Sequence, residues 1–518
     1  MSNIIPSEAK DTGLRLLKKG RRGLLRAVFS RAGLIFLMLI LQVVLFVFVL
    51  FGFLSDYLPH FAVLSTIFAT VMALAVLNGE HDASSKLTWI IVITLLPAFG
   101  ALLFLYTQSD LGHRRRRGTP SPRTRRSRRG LPRRRARCRG LNYVNRTGCY
   151  PAYDHSSVRY FPLGDDMFPV LLEELEKAEH SIYLEFFIVD EGLMWGKVLE
   201  ILARKAAQGV DVRLIYDGTC EFFTLPRSYP KQLKELGIQS KAFAPIRPFV
   251  STYYNYRDHR KILVIDGHTA FNGGVNLADE YINHAPRFGH WKDTAVMVKG
   301  PAARSFSLMF LQMWNIDAKE PDFTPMAEEL VQPVEAAGFV LPYGDCPLDD
   351  ERVGEWMYMD ILNRARRYVH IMTPYLILDG EMETALRFAA ERGVDVRLIL
   401  PGIPDKKLPY ALAKTHYAAL LRSGVKIYEY TPGFVHAKVF VSDDKEAVVG
   451  TINLDYRSLY HHFECATYMN AVDAIGDIEA DFQATQALCR PVSMATLRDI
   501  RWTTKLAGIL MKVLAPLL

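Results

Sequence analysis

Apolar positions follow two regimes along the chain. Up to residue 106 they gather in three long runs, 33–54, 61–77 and 89–106. From about residue 143 they come in short, strand-length groups that alternate with amphipathic, helix-length stretches. The first regime predicts membrane segments, and the second an α/β domain with a mostly parallel sheet. The second regime also repeats itself. Ser-Ile-Tyr-Leu-Glu-Phe-Phe at 181–187 has a counterpart at 368–375, and Gly-Val-Asp-Val-Arg-Leu-Ile stands at 209–215 and again at 393–399. A further helical stretch and a β-branched strand complete each copy. Two tandem α-β-α units, 143–325 and 326–495, are therefore expected, related by a pseudo-twofold and each long enough for its own core.

Of the early runs, 33–54 is long enough to span a bilayer, which takes roughly 20 residues. The other two are marginal, and 89–106 contains Pro97 and Gly100. The leader 1–32 carries many Lys and Arg among Leu16, Leu17, Leu24 and Leu25. A helix lying on an anionic membrane and a disordered basic leader both fit it. A cleaved signal peptide does not, because no small-residue cleavage site follows the first apolar run. Basic sequence flanks the three runs on both sides, and the positive-inside rule places both flanks in the cytoplasm. That requires an even number of spans. The expectation is a multi-pass protein of the cell membrane with two transmembrane helices, one segment re-entrant or interfacial, and the globular part on the cytoplasmic side.

The formal net charge is +8 over 518 residues, but its source is local. The connector 107–142 holds 14 arginines and no acid between His113 and Arg139, so without them the charge is 8 − 14 = −6. The globular part thus lacks the basic face that nucleic-acid binding requires, and no nucleic-acid partner is expected. The connector reads as a polybasic arm on anionic membrane lipids, as a solvated linker, or as out-of-frame coding sequence. The six cysteines are scattered, with no C-x-x-C and no His cluster at zinc spacing, so neither a disulfide framework nor a metal or other cofactor is expected. The tail 496–518 places Leu506, Ile509, Leu510, Val513 and Leu514 at helical spacing beside Lys505 and Lys512. Attachment to a membrane interface and docking on the globular part both suit it.

The chemistry lies in a pattern that occurs twice. His259, Lys261 and Asp266 are followed by Gly273-Gly274-Val-Asn276, and His436, Lys438 and Asp443 by Gly450-Thr451-Ile-Asn453. Both copies read H-x-K-x4-D-x6-G-[GT]-x-N, and they stand 436 − 259 = 177 residues apart. Along a strand, His and Lys two apart share a face, whereas the aspartate five beyond the lysine points away. Asp266 and Asp443 are therefore read as structural members of the motif. An imidazole beside a fixed cation suits phosphodiester chemistry without a metal. Lys261, Lys438, Asn276 and Asn453 can neutralise charge on phosphoryl oxygens, one imidazole can attack phosphorus and the other can protonate the leaving group.

These residues, together with 289–294 and 453–458, resemble the phospholipase D superfamily and, within it, the bacterial cardiolipin synthases. The resemblance covers nearly the whole chain except 107–142. It implies condensation of two phosphatidylglycerol molecules, one donor and one acceptor, into cardiolipin and glycerol. It further implies His259 as nucleophile and His436 as acid, with Glu464 orienting His259 and Asp293 orienting His436. The motif alone does not separate transfer from hydrolysis, and the oligomeric state is left open.

Overall fold

The computed structural model describes residues 58–79, 82–108, 143–144, 150–245, 256–328, 331–349 and 351–515. The leader, the apolar run 33–54 and nearly all of the Arg-rich connector lie outside the described residues. The chain divides into two compact bodies, the larger of which includes 116–245 and 255–512.

Among the described residues of the larger body, eighteen strands build the sheets. The first repeat contributes β1 (Ser157–Phe161), β2 (Ser181–Phe186), β3 (Asp211–Asp217), β4 (Gln239–Phe243), β5 (Arg257–Asp258), β6 (Lys261–Ile265), β7 (Thr269–Gly273), β8 (His290–Lys292) and β9 (Ala295–Lys299). The second contributes β10 (Phe339–Asp345), β11 (Tyr368–Met372), β12 (Asp395–Pro401), β13 (Lys426–Tyr430), β14 (Gly433–Val435), β15 (Val439–Ser442), β16 (Glu446–Gly450), β17 (His462–Asn470) and β18 (Cys489–Val492). One sheet runs β1-β9-β7-β6-β2-β3-β4, and the other runs β10-β17-β16-β15-β11-β12-β13-β18. Strand for strand the orders correspond, apart from β18 at the edge.

The sheets are mixed, which corrects the expectation of a mostly parallel one. Along the two strand orders just given, only β2-β3-β4 and β11-β12-β13 are parallel, and the remaining neighbours pair antiparallel. The strand that follows each H-x-K turns straight back as a hairpin. Residues 266–268 separate β6 from β7, and 443–445 separate β15 from β16. So short a loop cannot make the crossover that a parallel neighbour needs. Asp266, Gly267, Asp443 and Asp444 take left-handed backbone there, with φ of 51°, 65°, 55° and 57°.

The first sheet is covered on both faces, so its strands read as continuous apolar runs. Ile182, Leu184 and Phe186 pack among Leu171, Leu175, Leu199 and Leu202 of helices Gly164–Glu176 and Leu193–Ala207. Tyr183, Ile262 and Val264 face Phe306 and Phe310 of helix Ala303–Trp314. Tyr183 and Phe310 stack at 4.8 Å. The C-terminal helix Trp502–Leu514 lies against helix Lys407–Arg422 at Gly508, where a Cβ would strike the carbonyl of Ala411. Trp502, Leu506, Ile509 and Leu510 of the same helix stay exposed.

In the smaller body, the expected segment 61–77 falls in helix Leu58–Asn78, while 89–106 is not one segment. It is divided between helices Ala83–Leu95 and Pro97–Gln108, because Pro97 has no amide hydrogen to continue the first. Gly100 then lets the two approach at Val92 and Ile93. Among the described residues no helix is long and apolar enough to cross a membrane, so the expected transmembrane helices at 61–77 and 89–106 are not supported.

Asp266 and Asp443 perform the same structural task in the two repeats. Asp266 accepts hydrogen bonds from the amides of Glu179, His180 and Ser181, at 2.9, 2.8 and 2.7 Å. Asp443 accepts from Arg366, Arg367 and Tyr368, at 2.8, 2.8 and 3.0 Å. Each carboxylate therefore fixes the entry of the central strand beside the motif strand. Asp266→Ala and Asp443→Ala are each expected to cost about 2–3 kcal/mol, because three amides lose a charged acceptor. Denaturant unfolding of the purified variants measures this, and an unchanged midpoint for both would remove the clamp assignment.

Candidate active site

The two histidines are delivered by arms that cross between the repeats. β5 pairs in parallel with the start of β17, and the amide of His259 donates to the carbonyl of Phe463 at 2.9 Å. β14 pairs in parallel with β8, and the amide of His436 donates to the carbonyl of Lys292 at 2.7 Å. Each accepting carbonyl belongs to the residue just before an acid. His259 Nδ1 lies 2.9 and 3.0 Å from the Glu464 carboxylate oxygens, and His436 Nδ1 lies 2.6 Å from Asp293 Oδ2. Every imidazole is thus oriented by an acid of the other repeat. Arg260 adds a further tie, donating to the carbonyls of Glu464 and Asp345 at 3.1 and 3.2 Å.

The crossing also changes the expected strand geometry. Neither histidine lies in the regular strand that carries its motif, because β6 begins at Lys261 and β15 at Val439. The histidine amides are committed to the opposite repeat instead. Lys261 and Lys438 turn back and donate to the carbonyls of His259 and His436. Lys438 Nζ also lies 2.9 Å from His436 Nδ1.

All four motif side chains are buried. Burial brings the Lys261 amine down to about 8 and the Lys438 amine to about 7, against the opposing pull of Glu464 and Asp293. Burial, Lys261 and Lys438 hold His259 well below the ordinary imidazole range. Burial and Lys438 bring His436 to about 4, although Asp293 pulls it upward. Both rings are therefore neutral near pH 7 in the empty site. An anionic phosphodiester placed among them would raise all four values.

The two asparagines, expected as amide donors, stand in different surroundings. Asn276 is committed within the fold: its Oδ1 accepts from the Ile188 amide at 3.0 Å and its Nδ2 donates to the Tyr281 hydroxyl at 2.7 Å. Asn453 is buried, and its Oδ1 has no hydrogen-bond partner among the described residues. Gly273 and Gly450, which precede them, admit close approach of β9 and β17, since a Cβ at either would strike Ala295 or Ala466. Asp266 and Asp443 stand at the far ends of β6 and β15, outside the cluster.

Several neighbours escaped the sequence reading. Thr451 donates its hydroxyl to Glu464. Phe187 lies 5.0 Å from the His259 ring, while Tyr281, Trp291 and Phe434 lie 5.4, 5.4 and 5.9 Å from that of His436. Trp291 and Phe434 each stand two residues before a site residue, a same-face spacing that could have flagged them. Among the described residues, two groups have metal-ligand composition: His259, His462 and Glu464, and Glu355, Asp379 and Glu381. In the second, Arg352 pairs with all three carboxylates.

Comparison with known proteins agrees with this architecture. Residues 171–314 and 358–485 match a family described as cardiolipin synthase, PLD-like domain, and residues 67–106 match the phospholipase D-nuclease N-terminal family. A cardiolipin synthase of Geobacillus thermodenitrificans is 35% identical over 73% of this chain and 76% of its own length. One from Halalkalibacterium halodurans is 29% identical over 88% and 94%. An uncharacterized protein of Streptococcus mutans is 54% identical over 86% of this chain and 99% of its own. Among solved structures, phosphatidylserine synthase of Haemophilus influenzae superposes with a TM-score of 0.57 at 14% identity, over 73% of this chain and 97% of that one, which speaks to the fold.

If Lys261 and Lys438 serve turnover as cations, their values set an alkaline limit. Because the cationic forms are lost as pH rises through about 7 and about 8, kcat/KM is expected to fall across that interval. Lys438→Arg keeps its charge, so the remaining activity should lose the lower step of that fall. A pH–rate profile of both proteins checks this, and identical alkaline limbs would contradict it.

Proposed function

Because the chain belongs to the bacterial cardiolipin synthases of the phospholipase D superfamily, we propose that this phospholipase-D-type enzyme condenses two phosphatidylglycerol molecules into cardiolipin and glycerol. The observation that carries the reading is the crossed pairing of His259 with Glu464 and of His436 with Asp293. A proton held between His259 Nδ1 and Glu464 leaves a lone pair on Nε2. That lone pair attacks phosphorus of the first phosphatidylglycerol, and the bond from phosphorus to the headgroup glycerol breaks. His436, charged by the proximity of the bound phosphate, protonates the departing glycerol oxygen. Lys261 and Lys438 balance charge on the phosphoryl oxygens.

The phosphatidyl-histidine on His259 then meets the second phosphatidylglycerol. His436, now neutral, takes the proton of its glycerol hydroxyl as the oxygen attacks phosphorus. The phosphorus–nitrogen bond breaks, cardiolipin leaves and His259 is restored. One phosphodiester replaces another, so no nucleotide enters the balance. Aromatic rings beside both histidines favour an alcohol acceptor over water by keeping the pocket apolar.

We also infer attachment to the cell membrane, where both lipid substrates reside. The observation that favours it is the run of exposed apolar side chains on the early helices, Val63, Leu64, Ile67, Val71, Leu74, Leu77, Leu102 and Leu105. Contiguous apolar surface of this kind marks a partner or a lipid phase.

Product analysis tests the reaction directly. Purified protein in detergent, given phosphatidylglycerol alone with a chelator present, is expected to yield cardiolipin and glycerol in equal amounts. Phosphatidic acid without cardiolipin would replace transfer by hydrolysis. His259→Ala is expected to abolish turnover. His436→Ala should lower it by about 10²–10⁴-fold and accumulate lipid label on the protein. Label trapped on His259→Ala instead would reverse the two roles.

A further inference from the structure

His462 lies outside the repeated motif, and the reaction above gives it no task. It opens β17 two residues before Glu464, with its ring 5.3 Å from that of His259, and it is 8% exposed. Among the described residues neither ring nitrogen makes a hydrogen bond, and Nδ1 stands 3.5 Å from Glu464 Oε1, at ion-pair distance. A buried imidazole with both nitrogens unmatched is costly, and such a group calls for a ligand or a role. One donor atom each from His259, His462 and Glu464 falls within 4.8 Å of the others. Two imidazoles and a carboxylate form a ligand set that takes zinc and leaves a fourth position open.

We propose that His259, His462 and Glu464 bind a single zinc-class divalent ion, and that its occupancy switches the nucleophile off. Without the ion, a proton lies between His259 Nδ1 and Glu464. The ion takes that place. A metal bond forms to Nδ1 and the proton leaves it. The neutral ring retains one proton, which now stands on Nε2. Nitrogen protonated at Nε2 has no lone pair in the ring plane and cannot attack phosphorus. Glu464 keeps its charge and supplies an oxygen, His462 supplies an unmatched nitrogen, and no oxidation state changes. Lys261 and Lys438 oppose a cation here, while Glu464 and Asp293 favour it. Only the switching half of the proposal rests on His259 being the nucleophile; the binding half does not.

The test begins without lipid. Full-length protein stripped with a chelator and dialysed against Co2+ is expected to hold one displaceable cobalt with the d–d absorption of a low-coordinate nitrogen–oxygen site. Zinc should displace it. His462→Asn is expected to weaken zinc binding by at least about tenfold. His462→Gln replaces it should the first variant fail to keep the wild-type melting profile. Absence of a bound ion, or affinity unchanged in the folded variant, overturns the site. In turnover assays, zinc should inhibit the wild type, chelator should reverse the inhibition, and the inhibition constant should rise in the variant by the same factor as the affinity falls. Metal bound without any effect on turnover overturns the switch. Metal bound to a protein that makes no cardiolipin faults the proposed reaction and leaves the site standing.

Discussion

The rest of the structure depends on one exchange between the repeats: each motif histidine takes its backbone acceptor and its carboxylate from the other half. The amides of His259 and His436 end on the carbonyls of Phe463 and Lys292, and their rings end on Glu464 and Asp293. Backbone and side chain are therefore fixed together, in both copies, by the same two-residue segment. A hydrogen bond to an ionised group contributes more than one between neutral groups, and its loss inside the protein leaves an unmatched charge. The interface between repeats is held by the same groups that form the candidate site, so that site cannot be loosened without loosening the fold.

Around that exchange the remaining parts have separable tasks. The central parallel strands supply a rigid base, covered by helices on both faces. The aspartates clamp the entry of each central strand and keep the hairpin beside it in register. Burial then tunes the site. It keeps the imidazoles neutral and lowers the lysines, so that their proton affinities respond to an anion placed among them. A surface cluster of the same residues would show neither effect, because water would level their proton affinities.

Much of this was legible in the chain. Matched spacing of two motifs gave the tandem units, and the odd separation of the fifth residue after each lysine anticipated that Asp266 and Asp443 bind backbone amides at the far ends of their strands. Three things were not legible, each for a physical reason. Alternating strands and helices suggested a parallel sheet, but three-residue turns after Ile265 and Ser442 force hairpins. The strand pattern around His259 could not reveal that its amide bonds outside its own repeat, since long-range pairing leaves no local periodicity. Asn276 has the composition of a donor, yet only the placement of Tyr281 and Ile188 shows that both ends of its amide are already engaged. Glu464 and Asp293 entered through family resemblance, because nothing in local spacing joins them to histidines 205 and 143 residues away.

The crossed arms carry a consequence for the life of the protein in a cell. An enzyme that severs phosphodiesters endangers the lipid around it whenever it is incomplete, as during synthesis or after partial degradation. Here the first repeat emerges with a histidine whose carboxylate partner, Glu464, has yet to be made, and the second alone lacks Asp293. If those pairs are what arms the histidines, activity waits until the final repeat has closed on its twin and a nicked or truncated chain falls silent. The duplicated fold would then act as its own safety interlock.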